Sequence, residues 1–175
     1  IRGTRPCVEY ESTIEPVPIS PGDNDSSVLD LPNLGITEDV NVIFSINCDY
    51  ADSVSLQLTS PEGTQVMLLD QPAVPGSNYV NTILDDEADG ALTDGAAPFT
   101  GSFQPSNLLS AFDNETTEGT WTLQVYNASG YPMELVSWSL CLNTTGAQQE
   151  GEGNPLLEAC ALGSLFGQGP HAPSA

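Results

Sequence analysis

Asp85, Asp86, Glu87, Asp89 and Asp94 fall within one short segment, DDEADGALTD. Carboxylates this dense in a glycine-containing loop have the chemistry of a hard cation, which takes about six to eight oxygens, some of them backbone carbonyls. The spacing is not that of an EF-hand, because the alternating acids and the closing Glu are missing. Two readings therefore stand: ligands for calcium, or five solvated carboxylates on a strongly acidic surface. Other chemistry finds less support. Asp85 and Asp86 are neighbours, so on a strand they would point to opposite faces and could not act as paired acid and base. A Ser-His-Asp triad needs an oriented imidazole. The only histidine, His171, sits in the segment GQGPHAPSA. Neither GxxxxGK nor GxGxxG occurs, so no phosphate-cradling loop is present. The four cysteines, Cys7, Cys48, Cys141 and Cys160, contain no CxxC pair and do not suggest zinc. The expectation is a chain without catalysis.

Charge narrows the partners. Twenty-four Asp and Glu stand against two Arg, a formal net charge of −22. Such a surface repels nucleic acid and anionic membranes, which bind through Lys and Arg. No apolar run approaches the roughly 20 residues that span a bilayer, so no membrane insertion is expected. Ile1 reads as a processed start, with any signal peptide already removed. An even cysteine count suggests disulfides and an oxidising, extracellular setting. Four sequons begin at Asn24, Asn114, Asn127 and Asn143, each in a polar stretch where a glycan could sit.

The elements that would position these residues are short. VNVIFSI, VSLQLTS, TQVMLL, GTWTLQVYN and LVSWSLCL all read as strands bounded by Gly, Pro, Asn and Asp. In TWTLQVY, Trp121, Leu123 and Val125 share a face. In LVSWSLCL, alternation sets Val136, Trp138, Leu140 and Leu142 against Leu135, Ser137, Ser139 and Cys141. Many short strands and no long helical periodicity predict an all-β antiparallel sandwich over 1–146, ending near Asn143. Pro61 cannot donate to a ladder and Gly63 tolerates positive φ, so SPEGT is a tight hairpin. Trp121 and Trp138 belong to the core rather than to a sugar platform. Tyr50, Tyr79, Tyr126 and Tyr131 are placed for exposure but scattered. Residues 147–175 form a second region. It comprises a polar linker, AQQEGEGNP, then the apolar LLEACALGSLF with Asn154 and Pro155 placed to start a short helix, then a polar tail.

Read in order, GITEDVNVIFSI, SVSLQLTSPEGTQVMLL, NTILDDEA, APFTGSFQPSNLLSAF, EGTWTLQVYN and MELVSWSLCL resemble the P domain. That domain follows the catalytic domain of subtilisin-like proprotein convertases and also occurs alone in secreted bacterial proteins. The resemblance runs from about Cys7 to Leu142. It implies a non-catalytic, jelly-roll-like sandwich of about eight strands. The intact LDDEA tips the acidic loop towards calcium. One segment departs: where the family commonly has His-Thr-Tyr-x-x-Asp-Leu, this chain has CDYADSV, with Cys48 at the His position and Ser53 at the Asp position.

Bacterial relatives place one Cys before the first strand and one at the end of the last, which implies Cys7–Cys141. Cys48 and Cys160 remain and are predicted to pair, within one chain or between neighbours. The rival scheme, Cys48–Cys141 with Cys7–Cys160, is disfavoured. If the first long strand and the last run antiparallel, it would bridge a gap of roughly 20 Å. An interchain bond through the C-terminal segment would allow self-association into a filament. The leading function is a secreted module for stability, attachment or assembly. The alternatives are a filament or surface-polymer subunit, an accessory domain of a subtilisin-like protease, and a carbohydrate-binding module.

Overall fold

The computed structural model describes residues 7–12 and 15–146. The linker, the apolar segment with Cys160, and the tail lie outside the described residues. The strands are β1 (Val8–Glu11), β2 (Val17–Ile19), β3 (Asn24–Leu31), β4 (Gly35–Asn47), β5 (Val54–Thr59), β6 (Gln65–Asp70), β7 (Tyr79–Leu84), β8 (Gly101–Phe103), β9 (Gly119–Asn127) and β10 (Met133–Gly146). They form two sheets facing each other across one core. One runs β1-β10-β4-β7-β8, with β2 also on β10, and the other runs β3-β9-β5-β6. The pairs are antiparallel except β7 with β8, which run parallel. Ten strands replace the expected eight or so because β1, β2 and β8 are edge pieces of three or four residues, too short to show alternation.

β4 and β10 form the spine. Val40, Val42, Phe44 and Ile46 alternate inward along β4. Phe44 opposes Trp138, Val42 opposes Leu140, and Val40 opposes Leu142. Across the core, Trp121, Leu123 and Val125 of β9 are fully buried, as their period-two spacing requires. The indoles also anchor polar groups. Trp138 donates through Nε1 to Ser27 Oγ of β3 at 2.7 Å, which joins the two sheets. Trp121 donates to the Thr117 carbonyl at 3.1 Å.

The register of β10 against β4 shifts twice, between Leu135 and Ser137 and again between Asn143 and Thr144. The first shift changes which side chains face the core, so Leu135 is buried along with Trp138, Leu140 and Leu142. The expected grouping of Leu135 with Ser137, Ser139 and Cys141 is corrected by this bulge, which inserts one residue and exchanges the faces. β10 continues past Asn143 to Gly146, pairing with Gly35 of β4.

The SPEGT corner is the hairpin between β5 and β6. Ser60 N–H bonds the Thr64 carbonyl at 2.9 Å and Gly63 N–H bonds the Ser60 carbonyl at 3.0 Å. Gly63 has φ +92, where a side chain would strain the turn. The corner also locks the loop before β9. Glu62 Oε1 accepts from Thr116 N–H at 2.8 Å, and Thr64 Oγ1 donates to Glu115. Pro61 approaches Gly119 so closely that a Cβ there would lie 2.8 Å from the proline ring.

Candidate functional site

The five acids of the loop are placed by the end of β7 and its neighbours. Asp85 and Asp86 lie in the turn just after Leu84, not on the strand, so the opposite-face expectation does not apply to them. The loop is tied down by its backbone: Asp85 N–H reaches the Phe103 carbonyl at 3.0 Å and Gln104 N–H reaches Gly90 O at 2.9 Å. Gln104 Nε2 donates to the Ala88 carbonyl at 2.8 Å.

The carboxylate oxygens are then used locally. Asp85 Oδ1 accepts from Glu87 N–H at 2.8 Å, and Asp94 Oδ2 accepts from Ala91 N–H at 3.0 Å. Asp86 makes a fork: Oδ1 accepts from Leu109 N–H and Oδ2 from Ser110 N–H, both at 2.8 Å. Those two N–H groups begin the 3-10 turn Leu109–Phe112, so Asp86 supplies acceptors that the turn itself cannot. Glu87 and Asp89 are exposed. The Glu87 carboxyl is raised above the usual range, first by partial burial, then by its bond with Asp85 and the negative fields of Asp39, Asp85 and Asp86. A raised carboxyl holds its proton better folded than unfolded. Its contribution to stability is present at low pH and is lost as pH rises through the folded value. Among the described residues, no three His, Cys, Asp or Glu side chains are grouped to hold a metal ion.

Asp86→Ala is expected to cost about 2 kcal/mol, since two N–H groups lose a charged acceptor beside the buried Leu109 and Phe112. The shift of the urea midpoint, at unchanged slope, measures this; a change under about 0.5 kcal/mol would place Asp86 among ordinary surface acids.

Cys7 and Cys141 are joined by a disulfide, the pair that the resemblance implies. The rival scheme is therefore corrected. The register explains why: Cys141 stands opposite Asn41, while Cys48 follows the far end of the same strand. Cys48 is buried and has no disulfide partner among the described residues; Cys160 lies outside them. Burial raises the Cys48 thiol, the fields of Asp49 and Asp52 add to this, and a bond involving Asn78 works against it.

The sequons separate. Asn24 and Asn114 are exposed and Asn143 is half-buried. Asn127 is fully buried. Its Nδ2 donates to the carbonyls of Ile19 at 3.2 Å and Tyr131 at 2.7 Å. Its Oδ1 accepts from Ser129 N–H and Ser129 Oγ at 2.9 and 2.7 Å. The expectation of a glycan at Asn127 is corrected: that amide is enclosed and already bonded. The Asn-Ala-Ser-Gly run that makes a sequon also makes an Asx-turn, a reading that was available from the sequence.

Two of the four tyrosines expected to be scattered, Tyr50 and Tyr131, come together. Tyr79 is fully buried, against the expectation of exposure, and its hydroxyl donates to the Ala51 carbonyl at 2.7 Å. Burial pushes the Tyr79 hydroxyl well up, so it stays protonated. Tyr50 and Tyr131, far apart in sequence, bring their rings to 5.5 Å between centroids with planes 39° apart. They are 48% and 51% exposed. Only the fold could join them, because one precedes β5 and the other precedes β10.

A family model described as the proprotein convertase P-domain matches residues 37–142. Among solved structures, a serine protease–chaperone complex of Aeromonas sobria is similar at 20% identity and a TM-score of 0.49, over 82% of this chain and 27% of that one. The Aeromonas sobria serine protease alone is similar at 18% identity and a TM-score of 0.46, over 79% and 26%. The chain thus spans about a quarter of the length of these solved proteins. No curated protein matches it.

Proposed function

The chain belongs to the proprotein convertase P-domain family, and from that premise we propose that it is a non-catalytic accessory domain of a secreted, subtilisin-like serine protease, where it stabilises the catalytic unit. The observation that carries this reading is the use made of the acidic loop. Asp85, Asp86 and Asp94 each give an oxygen to a backbone N–H, so the densest group of ionisable side chains builds the fold. The disulfide between Cys7 and Cys141 supports an oxidising, extracellular setting, where such bonds persist.

The gene product as the cell makes it provides the test. A protease domain in the same polypeptide, inactivated faster at fixed temperature when residues 7–146 are deleted, is the expected result. A polypeptide without a protease domain would end the accessory reading. A protease with the same inactivation half-life after the deletion would end the stabilising role.

Calcium is a narrower part of the proposal. A hard cation at the loop would have to recruit oxygens beyond those bonded to backbone N–H, including the exposed Asp89. Unfolding is compared in calcium and in EDTA at constant ionic strength, since a net charge of −22 responds to any salt. A ligand bound only to the folded state adds about 2.7 kcal/mol at a hundredfold excess over Kd; an unchanged midpoint would remove calcium from the function.

A further inference from the structure

Tyr50 and Tyr131 form a fixed, half-exposed aromatic pair on the surface. Their loops are held without help from the rings. Tyr131 N–H donates to Ser129 Oγ at 3.2 Å. The Tyr131 carbonyl accepts from Asn127 Nδ2 at 2.7 Å and from Ser129 Oγ at 2.8 Å. The Tyr50 carbonyl accepts from Ser53 N–H at 3.2 Å, and Ala51 N–H reaches the Gly76 carbonyl at 2.9 Å. The two loops are stitched together by Ala128 N–H to the Ser53 carbonyl at 2.9 Å. The backbone that carries the two rings is therefore held in place independently of them.

The setting is anionic. Exposed Asp49 and Asp52 flank Tyr50 in sequence, and Glu134 of β10, three residues after Tyr131, accepts from Asn47 Nδ2 at the end of β4. Arg2, Arg5 and His171 lie outside the described residues, so no Lys, Arg or His is present among the described ones. An aromatic face attracts a cation through its quadrupole, and nearby carboxylates add to the attraction. The 39° tilt between the rings gives no flat platform for a sugar ring. We propose that Tyr50 and Tyr131 receive an arginine or lysine side chain of a partner polypeptide. This stands apart from the accessory-domain reading, since it requires only the described domain.

The probe is a blocked tetra-arginine peptide, with the tetra-citrulline peptide as the neutral isostere, titrated by NMR into the whole chain in moderate salt. The expected result is a shift of both tyrosine ring resonances with the arginine peptide and none with citrulline. The double variant Tyr50→Ala/Tyr131→Ala keeps every charge and is expected to bind about fivefold more weakly. Tyr50→Phe/Tyr131→Phe keeps the ring faces and is expected to bind as the natural chain does, which separates ring recognition from a folding defect. Equal affinity in the alanine variant would reduce the attraction to diffuse charge and overturn the proposal. So would equal binding of citrulline. Ring shifts with a neutral oligosaccharide but not with arginine would overturn it in favour of a sugar site.

Discussion

Asn127→Ala is expected to destabilise the domain by about 4 kcal/mol, several times the effect of an ordinary surface substitution. The side chain is fully buried and joins three segments: the end of β2 at Ile19, the turn at Ser129, and the lead-in to β10 at Tyr131. Removing it leaves the Ile19 carbonyl and Ser129 N–H without these partners, and each unsatisfied buried group costs about 1–3 kcal/mol. The Tyr131 carbonyl keeps its bond from Ser129 Oγ, which limits the loss. Asn127→Asp is expected to be no milder, because it faces two carbonyls with an acceptor in place of a donor. Urea unfolding followed by tryptophan fluorescence measures both. A loss below about 0.5 kcal/mol would mean that Asn127 behaves as a solvent-facing residue, and the sequon would again be open to a glycan.

Replacing both Cys7 and Cys141 by alanine is expected to cost about 3–5 kcal/mol. The bond spans 134 residues, and closing so long a loop restricts the unfolded chain by about 5 kcal/mol in the chain-entropy account. β1 is short and mostly exposed, so its separation from β10 in the variant relieves part of the cost; the lower end of the range allows for that. Denaturant midpoints of the oxidised chain and the double variant decide the matter. A difference under about 1 kcal/mol would show that β1 contributes little to the cooperative unit.

Much of this fold was legible because burial imposes period two on long strands. Trp121, Leu123 and Val125 could be assigned to the core from spacing alone, and SPEGT could be assigned to a hairpin from Pro61 and Gly63. The bulge at Leu135–Ser137 was not legible, since nothing in LVSWSLCL marks where one residue is inserted. The edge strands were too short for alternation to show. Site residues were harder for a related reason. The types in DDEADGALTD suggest ligands, whereas Asp86 is engaged by backbone N–H groups of residues more than twenty positions away, and no local pattern reports such a partner. Tyr50 and Tyr131 meet only because β5, β9 and β10 return their loops to one place.

The Cys7–Cys141 bond also decides how the domain carries tension. If the chain is pulled from positions before Cys7 and after Gly146, the force enters at one cysteine and leaves through the other. The stretch between them, a sequence separation of 134, is bypassed, and neither the buried Trp121 and Trp138 nor the β4–β10 spine up to Cys141 has to bear the load. Only the last stretch, from Leu142 to Gly146, lies in the path. It is paired with β4 from Val40 back to Gly35, so it would peel away bond by bond while the sandwich stays closed. Oxidised, the domain acts as a short, nearly inextensible link; reduced, it becomes a spring that can lengthen by unravelling its sheets.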